Sequence, residues 1–303
     1  MGWGKQRDEK FSATPSVPYA YSAPSNNMHA KKSLGQNFLY DKNIVHKIVE
    51  SAEVKSGDLV LEIGPGQGIL TEALLEVGAR VIAVEMDEDL IEPLKEKFGD
   101  KINLIQGDIL AATTWNMINE IIVRANGHSP LRKSYSVVAN IPYNITSPIL
   151  ETLFRAEPKP SRLTLMVQRE VADRILAVPP DTSVLSIACQ LYSEGKKMMR
   201  VSRGSFRPAP KVDSTVIRLD LRSKRLGDVD PEEVLKIVKV GFSSRRKQLH
   251  GNLDKAGICT SEKTREILKK LGLGEKARAE NLAVGDWVEF YRAVVGVEGD
   301  EGV

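Results

Sequence analysis

The sequence predicts an α/β protein in which a mostly parallel sheet is covered by helices on both faces and is followed by a small all-helical domain. From Asp58 onward, short β-branched runs alternate with segments of helical length, which is typical of parallel sheets. These runs are almost continuously apolar, as expected of strands that are buried on both faces. From Pro231 onward, the apolar positions recur at helical spacing.

The predicted elements follow in order along the chain. The strands are LVLEI, RVIAVE, INLIQ, SVVANI and RLTLMVQ, and the helices between them are TEALLEVG, DLIEPLKEKF, WNMINEIIVRA and SPILETLFRA. After Ser183 a helix, VLSIACQLY, precedes the strands MMRVS and STVIRLDL, which we expect to pair antiparallel across a Pro-rich loop. The amphipathic helices VLKIVKVGF and TREILKKLGL belong to the C-terminal part.

Three parts are therefore predicted. Residues 1–28 are rich in Ser, Pro, Asn and Ala, so we expect a disordered tail, and Met28 is a candidate for the true start. Residues 29–225 form the α/β domain and residues 226–303 the helical domain. The boundary between them lies in a charged, Gly-containing linker, residues 224–230.

Composition is ordinary for a globular protein. The 303 residues are 42% hydrophobic and 27% charged. No apolar stretch approaches the roughly 18 residues that cross a bilayer, and the N-terminus lacks a secretory pattern, so we expect a cytoplasmic protein without a membrane partner. The two cysteines and four histidines show no metal-ligand spacing, and no metal is expected.

Charge is distributed unevenly along the chain. Asp58–Phe98 holds 3 Lys/Arg against 10 Asp/Glu, a net charge of −7, whereas Lys236–Arg278 holds 12 against 4, a net charge of +8. The basic segment indicates a polyanionic partner, with a merely solvated helical surface as the alternative.

A glycine-rich loop follows the first strand of the predicted sheet, in LVLEIGPGQGILTEAL. Gly64, Gly66 and Gly68 permit a tight turn and a close approach of a ligand to the backbone, and the following helix offers unpaired N–H groups. About twenty residues on, the next strand ends at Glu85, which is placed to accept hydrogen bonds from the two hydroxyls of a ribose. A nucleotide-like ligand is expected.

The spacing of the glycines narrows the choice of ligand. A dinucleotide fold has GxGxxG, whereas the pattern here is GxGxG preceded by Glu62, and no Lys-Ser/Thr pair of a phosphate loop is present. An S-adenosylmethionine site fits this loop better. Asp108, after the third strand, could accept a hydrogen bond from an adenine amino group.

The fourth strand ends in NIPY, at the carboxyl edge where open α/β sheets bind their ligands. The side-chain oxygen of Asn140 and the backbone carbonyl of Ile141 could accept from an adenine amine and draw its lone pair back onto nitrogen. Pro142 would brace the backbone, and Tyr143 could stack on a base turned out of its helix. The alternative is an ordinary Asn turn followed by a packed tyrosine.

The ordered motifs resemble the small-subunit ribosomal RNA adenine dimethyltransferase family between about Lys31 and Trp287. They are KKSLGQNFLYD, EIGPGQGILT, VIAVEMD, GDIL, NIPYNITSP, MVQREVADRI, FRPAPKVDS and FSSRRKQLHGNL. The resemblance implies a seven-stranded, Rossmann-like class I methyltransferase domain followed by a small helical domain. It also implies transfer of methyl groups from S-adenosylmethionine to N6 of two adjacent adenines near the 3′ end of small-subunit rRNA, in a pre-30S-like particle.

Site residues are carried over from this family position by position. The implied cofactor-binding residues are Asn37, Leu39, Gly64, Glu85, Asp108 and Asn140. The implied catalytic residues are Asn140, Tyr143 and Phe206, the last as a second aromatic face for the base or, alternatively, as a core residue that anchors its loop.

Arg245, Arg246 and Lys247 are three consecutive cations expected at the start of a helix, where positive charge is unfavourable unless it meets phosphate. We expect them to bind RNA. Two departures from the family pattern, at residues 181–183 and 250–252, leave the implied reaction class unchanged.

Two other functions remain open. One is a large-subunit rRNA adenine methyltransferase of the macrolide-resistance type, although GPGQG and PKVDS favour the small-subunit enzyme. The other is a non-catalytic RNA-binding assembly or transcription factor of the same fold. Nothing in the sequence requires more than a monomer.

Overall fold

The computed structural model describes residue 31 and residues 34–126 and 135–296. The predicted tail, residues 1–28, lies outside the described residues, and so does the question of a start at Met28.

A seven-stranded sheet forms the centre of the α/β domain. Its strands, together with the two short strands of a separate pair, are β1 (Phe38–Leu39), β2 (Leu59–Ile63), β3 (Arg80–Glu85), β4 (Ile102–Gln106), β5 (Ser136–Asn140), β6 (Arg162–Gln168), β7 (Ser193–Val201), β8 (Phe206–Arg207) and β9 (Ser214–Leu221). The order in the sheet is β4-β3-β2-β5-β6-β9-β7, and the first five of these strands are parallel. The predicted fold class is confirmed, including the antiparallel pairing of β7 with β9.

Strand order reverses between β2 and β5. The chain runs outward from β2 through β3 to β4, and then returns to place β5 on the other side of β2. Crevices at such a reversal, at the carboxyl ends of the strands, are where open α/β sheets bind ligands. The glycine loop follows β2 and NIPY begins at the end of β5, so both lie at this crevice.

Helices cover both faces of the sheet and form the C-terminal part. They are α1 (Lys42–Ala52), α2 (Ile69–Glu76), α3 (Glu88–Phe98), α4 (Ala112–Asn126), α5 (Thr146–Arg155), α6 (Arg169–Ile175), α7 (Val184–Tyr192), α8 (Pro231–Gly241), α9 (Leu249–Lys255), α10 (Ser261–Lys270) and α11 (Val284–Val295). Successive residues of a strand point to opposite faces. Leu59 and Leu61 accordingly pack in one apolar cluster and Val60 in another.

The C-terminal helices pack around Trp287 and Phe290, both fully buried. The same cluster includes Ile187 and Leu191 of α7, so the apolar contacts continue across the predicted boundary at residue 225. Thr182, also buried, reinforces this contact, because its hydroxyl lies 3.0 Å from the Glu280 carbonyl and 3.2 Å from the Leu282 carbonyl. The exact boundary stays a prediction.

Within the described parts of the chain, no helix has both the length and the apolar character that a membrane crossing needs. Across the same residues, no three His, Cys, Asp or Glu side chains come together as a metal site. Both cysteines are buried free thiols.

Candidate active site

A cavity of about 260 Å³ opens at the carboxyl edge of β2 to β5. Its walls are the loops that follow these four strands, and residues 34–39 cover it from the N-terminal side. Every residue predicted to bind the cofactor lines this cavity: Asn37, Leu39, Gly64, Glu85, Asp108 and Asn140. Positions separated by up to 103 residues in sequence are thus brought into one site.

The glycine loop forms the floor of the cavity. Gly64 has φ +67°, a left-handed conformation that favours glycine, and a Cβ there would meet no atom within 4 Å. A ligand can therefore approach its backbone closely. Gly68, with φ +76°, begins α2, and a Cβ there would lie 2.4 Å from the ring of Phe98. This second glycine lets α2 and α3 pack together behind the loop.

Glu85 is buried at the end of β3, and both of its carboxylate oxygens are oriented by backbone donors. Oε2 accepts from the Gly66 N–H at 3.1 Å, and Oε1 accepts from the Asp87 N–H at 2.9 Å. Burial raises the pKa of Glu85, and these hydrogen bonds oppose that effect. The carboxylate is held at the cavity wall with lone pairs left for the two hydroxyls of a ribose.

Asp108 lies in the turn after β4. One oxygen, Oδ1, accepts from the Leu110 N–H at 2.9 Å, which orients the carboxylate. Oδ2 accepts no hydrogen bond from the described residues and remains available to a donor such as an exocyclic amine.

Asn140 is the last residue of β5, and its amide has a defined orientation. Its Nδ2 donates to the Asn37 carbonyl at 3.2 Å, and the Asn37 side chain in turn donates to the Gly35 carbonyl at 3.0 Å. Among the described residues no donor binds the Asn140 Oδ1. The side chain thus presents an acceptor in the cavity, with the backbone of Ile141 directly after it.

Tyr143 begins a single 3-10 turn, Tyr143–Ile145, between β5 and α5. The Tyr143 hydroxyl is hydrogen-bonded to the hydroxyl of Ser214, the first residue of β9. Burial raises the pKa of Tyr143. The half-buried ring lines the cavity with its position fixed from two strands. Ser214 has no role in the interpretation of the sequence, although it belongs to the quoted motif FRPAPKVDS.

Phe206 lies elsewhere than the other predicted catalytic residues. Its side chain is 2% exposed, packs in an apolar cluster with Leu39, and does not line the cavity. β8 pairs with β1 so that Phe206 lies opposite Leu39. In this conformation Phe206 packs beneath residues 34–39, which cover the cavity. The predicted stacking of Phe206 on the target base stays a prediction, and it requires the ring to leave the core.

Asp87, which the sequence interpretation missed, anchors the covering segment. It is 4% exposed and begins α3 as the residue that caps the helix. Lys31 Nζ lies 2.6 Å from one carboxylate oxygen and Gln36 Nε2 lies 2.7 Å from the other. Although burial acts in the opposite direction, these donors hold the pKa of Asp87 below its ordinary value. In the sequence, Asp87 could have been found as a second carboxylate that follows Glu85 by only two residues.

Glu62 is a second buried carboxyl beside the glycine loop. It is 1% exposed, lines the cavity, and accepts from the Thr71 hydroxyl at 2.7 Å. Burial raises its pKa to about 8, so the side chain is mainly protonated at neutral pH.

The predicted RNA-binding cations lie outside the cavity. Arg245, Arg246 and Lys247 are exposed in the turn that precedes α9, whereas the sequence places them at the start of a helix. Asn252 closes this turn by donating to the carbonyls of Gly241 and Ser244 at 2.7 and 3.2 Å. None of the three cations forms an ion pair with the described residues.

The sequence of this chain is similar to those of known ribosomal RNA methyltransferases. A profile of the family described as ribosomal RNA adenine dimethylase matches residues 27–294. The ribosomal RNA small subunit methyltransferase A of Clostridioides difficile is 39% identical over 286 residues, which cover 93% of this chain and 94% of that protein. Its namesake from Lactobacillus helveticus is 40% identical over 273 residues, covering 88% and 91%.

Two solved structures share the fold at similar levels. The 23S rRNA methyltransferase ErmE has a TM-score of 0.67 and 26% identity, and covers 86% of this chain and 100% of its own. A dimethyladenosine transferase from Plasmodium falciparum has a TM-score of 0.66 and 28% identity, covering 84% and 95%. The two structures match this chain almost equally well, whereas both sequence relatives are small-subunit methyltransferases by name. The predicted resemblance is confirmed, and the chain belongs to the ribosomal RNA adenine dimethylase family.

Proposed function

We propose that this protein transfers methyl groups from S-adenosylmethionine to N6 of two adjacent adenines near the 3′ end of small-subunit rRNA, giving N6,N6-dimethyladenosine. The observation that carries the proposal is the orientation of Asn140. Its amide nitrogen is bound to the Asn37 carbonyl, so its oxygen is left as an acceptor in the cavity that also contains Glu85 and Asp108.

The cavity fits the methyl donor by its chemistry. Glu85 presents an oriented carboxylate for a ribose diol, and Asp108 presents an acceptor for an adenine amine. Asn37 and Leu39 cover the site, and Gly64 leaves space against the backbone. When bound, S-adenosylmethionine supplies a methyl group on a positively charged sulfur.

Asn140 and Ile141 act on the target amine. An adenine amine is a weak nucleophile because its lone pair is delocalised into the ring. Hydrogen bonds from its two hydrogens to the Asn140 Oδ1 and the Ile141 carbonyl favour a more tetrahedral nitrogen, whose lone pair can then be aimed along the line of transfer. Such a step depends on positioning and electrostatics more than on a strong base.

Tyr143 provides the face on which the target base stacks. The bond to Ser214 fixes the ring, and the base must be turned out of its helix to reach it. After the first transfer the same pocket has to readmit a monomethylated amine, which retains one hydrogen for the two acceptors. Phe206 serves as the second face only if it leaves the core.

The partner is small-subunit rRNA within a pre-30S-like particle, bound by a monomer in the cytoplasm. Arg245, Arg246 and Lys247 support the RNA part of this proposal, since they are exposed and have no anionic partner among the described residues. Contacts of this kind bind phosphate without reading sequence.

The test is incubation with methyl-labelled S-adenosylmethionine and unmethylated small or large ribosomal subunits, followed by nucleoside analysis. We expect dimethyladenosine in small-subunit RNA. Label confined to large-subunit RNA would support the macrolide-resistance type of activity instead. No label in either RNA, with normal binding of the particle, would identify a non-catalytic assembly factor.

A further inference from the structure

A second basic segment lies in the α/β domain, away from the cations before α9. Residues 195–212 contain six Lys or Arg and no Asp or Glu. They form most of the edge strand β7 and the loop that leads through β8 to β9.

The topology places the end of this segment beside the target side of the cavity. β7 and β6 both run antiparallel to β9, so the carboxyl end of β7 lies at the same edge of the sheet as the cavity. Arg200 lies opposite Thr215 in the β7–β9 ladder, and Val201 lies opposite Ser214. Since the Ser214 hydroxyl binds Tyr143, Arg200 is one ladder position from the residue that orients the stacking ring.

Two further arginines are connected to the same place. The Arg203 N–H donates to the Asp213 Oδ1 at 3.1 Å, and the Arg169 N–H, at the start of α6, donates to the Asp213 carbonyl at 3.0 Å. The backbones of three arginines are thus bonded to, or paired with, the short segment 213–215. Lys211 precedes this segment by two residues.

The side chains of Arg169, Arg200, Arg203 and Lys211 are exposed, and none forms an ion pair or hydrogen bond with the described residues. Neighbouring cations differ in this respect. Lys197 lies 2.6 Å from Asp173, and the Arg207 guanidinium lies 4.6 Å from the centre of the Tyr40 ring. The four unpaired side chains are called the basic rim here.

We propose that the basic rim binds the backbone phosphates of the nucleotides that flank the target adenine, an inference that rests on the proposed function. The four cations lie on α6, on β7 and in the loop before β9, and they outnumber the carboxylates of their sequence neighbours Glu170 and Asp213. The net positive charge at this edge of the sheet attracts an anion. A base that stacks on Tyr143 must bring its adjoining phosphates to this edge of the sheet. Phosphate contacts would then set the position of the RNA while the cavity selects the base.

The experiment measures affinity for unmethylated small subunits over a series of salt concentrations. The double variants are Arg200→Ala/Arg203→Ala and Arg169→Ala/Lys211→Ala. The control is Lys47→Ala/Lys55→Ala, which removes the same charge from exposed, unpaired side chains in and just after α1. Each rim variant should flatten the slope of log affinity against log salt by about 2, one for each cation that no longer neutralises a phosphate, and the control should not.

Three further readouts make the test specific. Cofactor affinity should be unchanged, and the KM for particles should rise while kcat stays within about twofold, because only RNA binding is weakened. Arg200→Lys/Arg203→Lys should retain the wild-type slope, since a lysine also neutralises phosphate. Wild-type slopes in both Ala variants, or equal flattening of the slope in the rim Ala variants and in the Lys47→Ala/Lys55→Ala control, would overturn the proposal for the basic rim. Wild-type protein that binds particles normally but leaves them unmethylated would overturn the proposed function. In that case the salt slopes of the variants would still show whether the basic rim binds phosphate.

Discussion

The two halves of the cavity edge are built differently. On the cofactor side, each carboxylate already has at least one partner: both oxygens of Glu85 accept from backbone N–H groups, Asp87 binds Lys31 and Gln36, and one oxygen of Asp108 accepts from a backbone N–H. On the target side, the Asn140 oxygen and the cations of the basic rim have no partner among the described residues. The first half is organised before its ligand arrives, whereas the second is completed by RNA.

Asn140→Ala tests the target half and should have the largest effect. It removes the acceptor for the amine, so we expect kcat to fall by about 10²- to 10³-fold, as when one oriented polar group is removed from a transition-state site. Cofactor affinity should change little, because the other cofactor contacts remain. Single-turnover methylation and equilibrium cofactor binding measure the two quantities. Asn116→Ala, exposed on α4, is the control. Equal losses of binding and turnover would contradict the assigned role.

Glu85→Gln tests the cofactor half. An amide would place an NH₂ group against one of the two backbone N–H donors and would lose the charge-assisted bonds to the ribose. We expect the Kd for S-adenosylmethionine to rise about 10- to 100-fold, corresponding to roughly 1.5–3 kcal/mol. Because burial raises the pKa of Glu85, wild-type affinity should weaken as pH falls through that raised value, and the variant should not show this dependence. Calorimetric titrations across pH provide the measurement.

Replacing Arg245, Arg246 and Lys247 with Ala tests whether RNA is bound by the C-terminal helical part as well as beside the cavity. The salt slope for small-subunit binding should flatten by about 3, because each of the three cations is expected to neutralise one phosphate. Cofactor affinity should be that of the wild type. Slopes that match those of the wild type would exclude phosphate binding by this turn.

Ser214→Ala tests how Tyr143 is positioned. It leaves the tyrosine hydroxyl half-buried without its partner, which costs about 1–3 kcal/mol if no water replaces it. We expect kcat to fall about 3- to 10-fold with cofactor affinity retained, since ring placement is loosened and the ring itself remains. The double variant Tyr143→Phe/Ser214→Ala removes both hydroxyls, so neither is left without a partner, and it should retain more activity than Ser214→Ala alone. The reverse order would show that the hydroxyl itself takes part in methyl transfer.

Glu62→Gln should have the smallest effect, and it tests whether the Glu62 carboxyl on the cofactor side is protonated in the folded protein. Between the ordinary pKa of 4.5 and the raised value of about 8, the folded protein holds a proton that the unfolded chain has lost, so stability falls as pH rises through that window. The amide of the Glu62→Gln variant keeps an acceptor for the Thr71 hydroxyl and does not titrate, so it adds no pH dependence to the stability of the variant. Its Tm advantage over the wild type should be about 2–6 °C larger at pH 8 than at pH 5. Glu266→Gln, exposed on α10, should show no pH-dependent difference.

The sheet was predictable because its signals are local. Apolar runs such as LVLEI and RVIAVE coincide with β2 and β3, and the strand ends carry Gly64, Glu85 and Asn140 into one cavity by topology alone. The motifs that identify the family lie on these same strand ends, which explains why residues that line the cavity could be named from the sequence.

What the sequence did not reveal depends on pairings between distant segments. β1 and β8 are two residues each, too short for a periodic signal, yet they decide that Phe206 packs against Leu39 in the core. Asp87 and Ser214 act through partners 56 and 71 residues away. A side chain's partner across such a distance is set by packing of the whole domain, and no local pattern encodes it.

The β1–β8 pairing also has a kinetic consequence. Residues 34–39 cover the cavity, and just beyond them the Tyr40 hydroxyl donates to the Gly204 carbonyl in the loop that carries Arg203. Any release of spent donor that lifts this segment must break its pairing with β8 and disturb the loop beside the bound RNA. Each dimethylated adenine consumes two donor molecules. If donors are exchanged by this route, the protein would therefore bind its RNA substrate more weakly between one methyl transfer and the next.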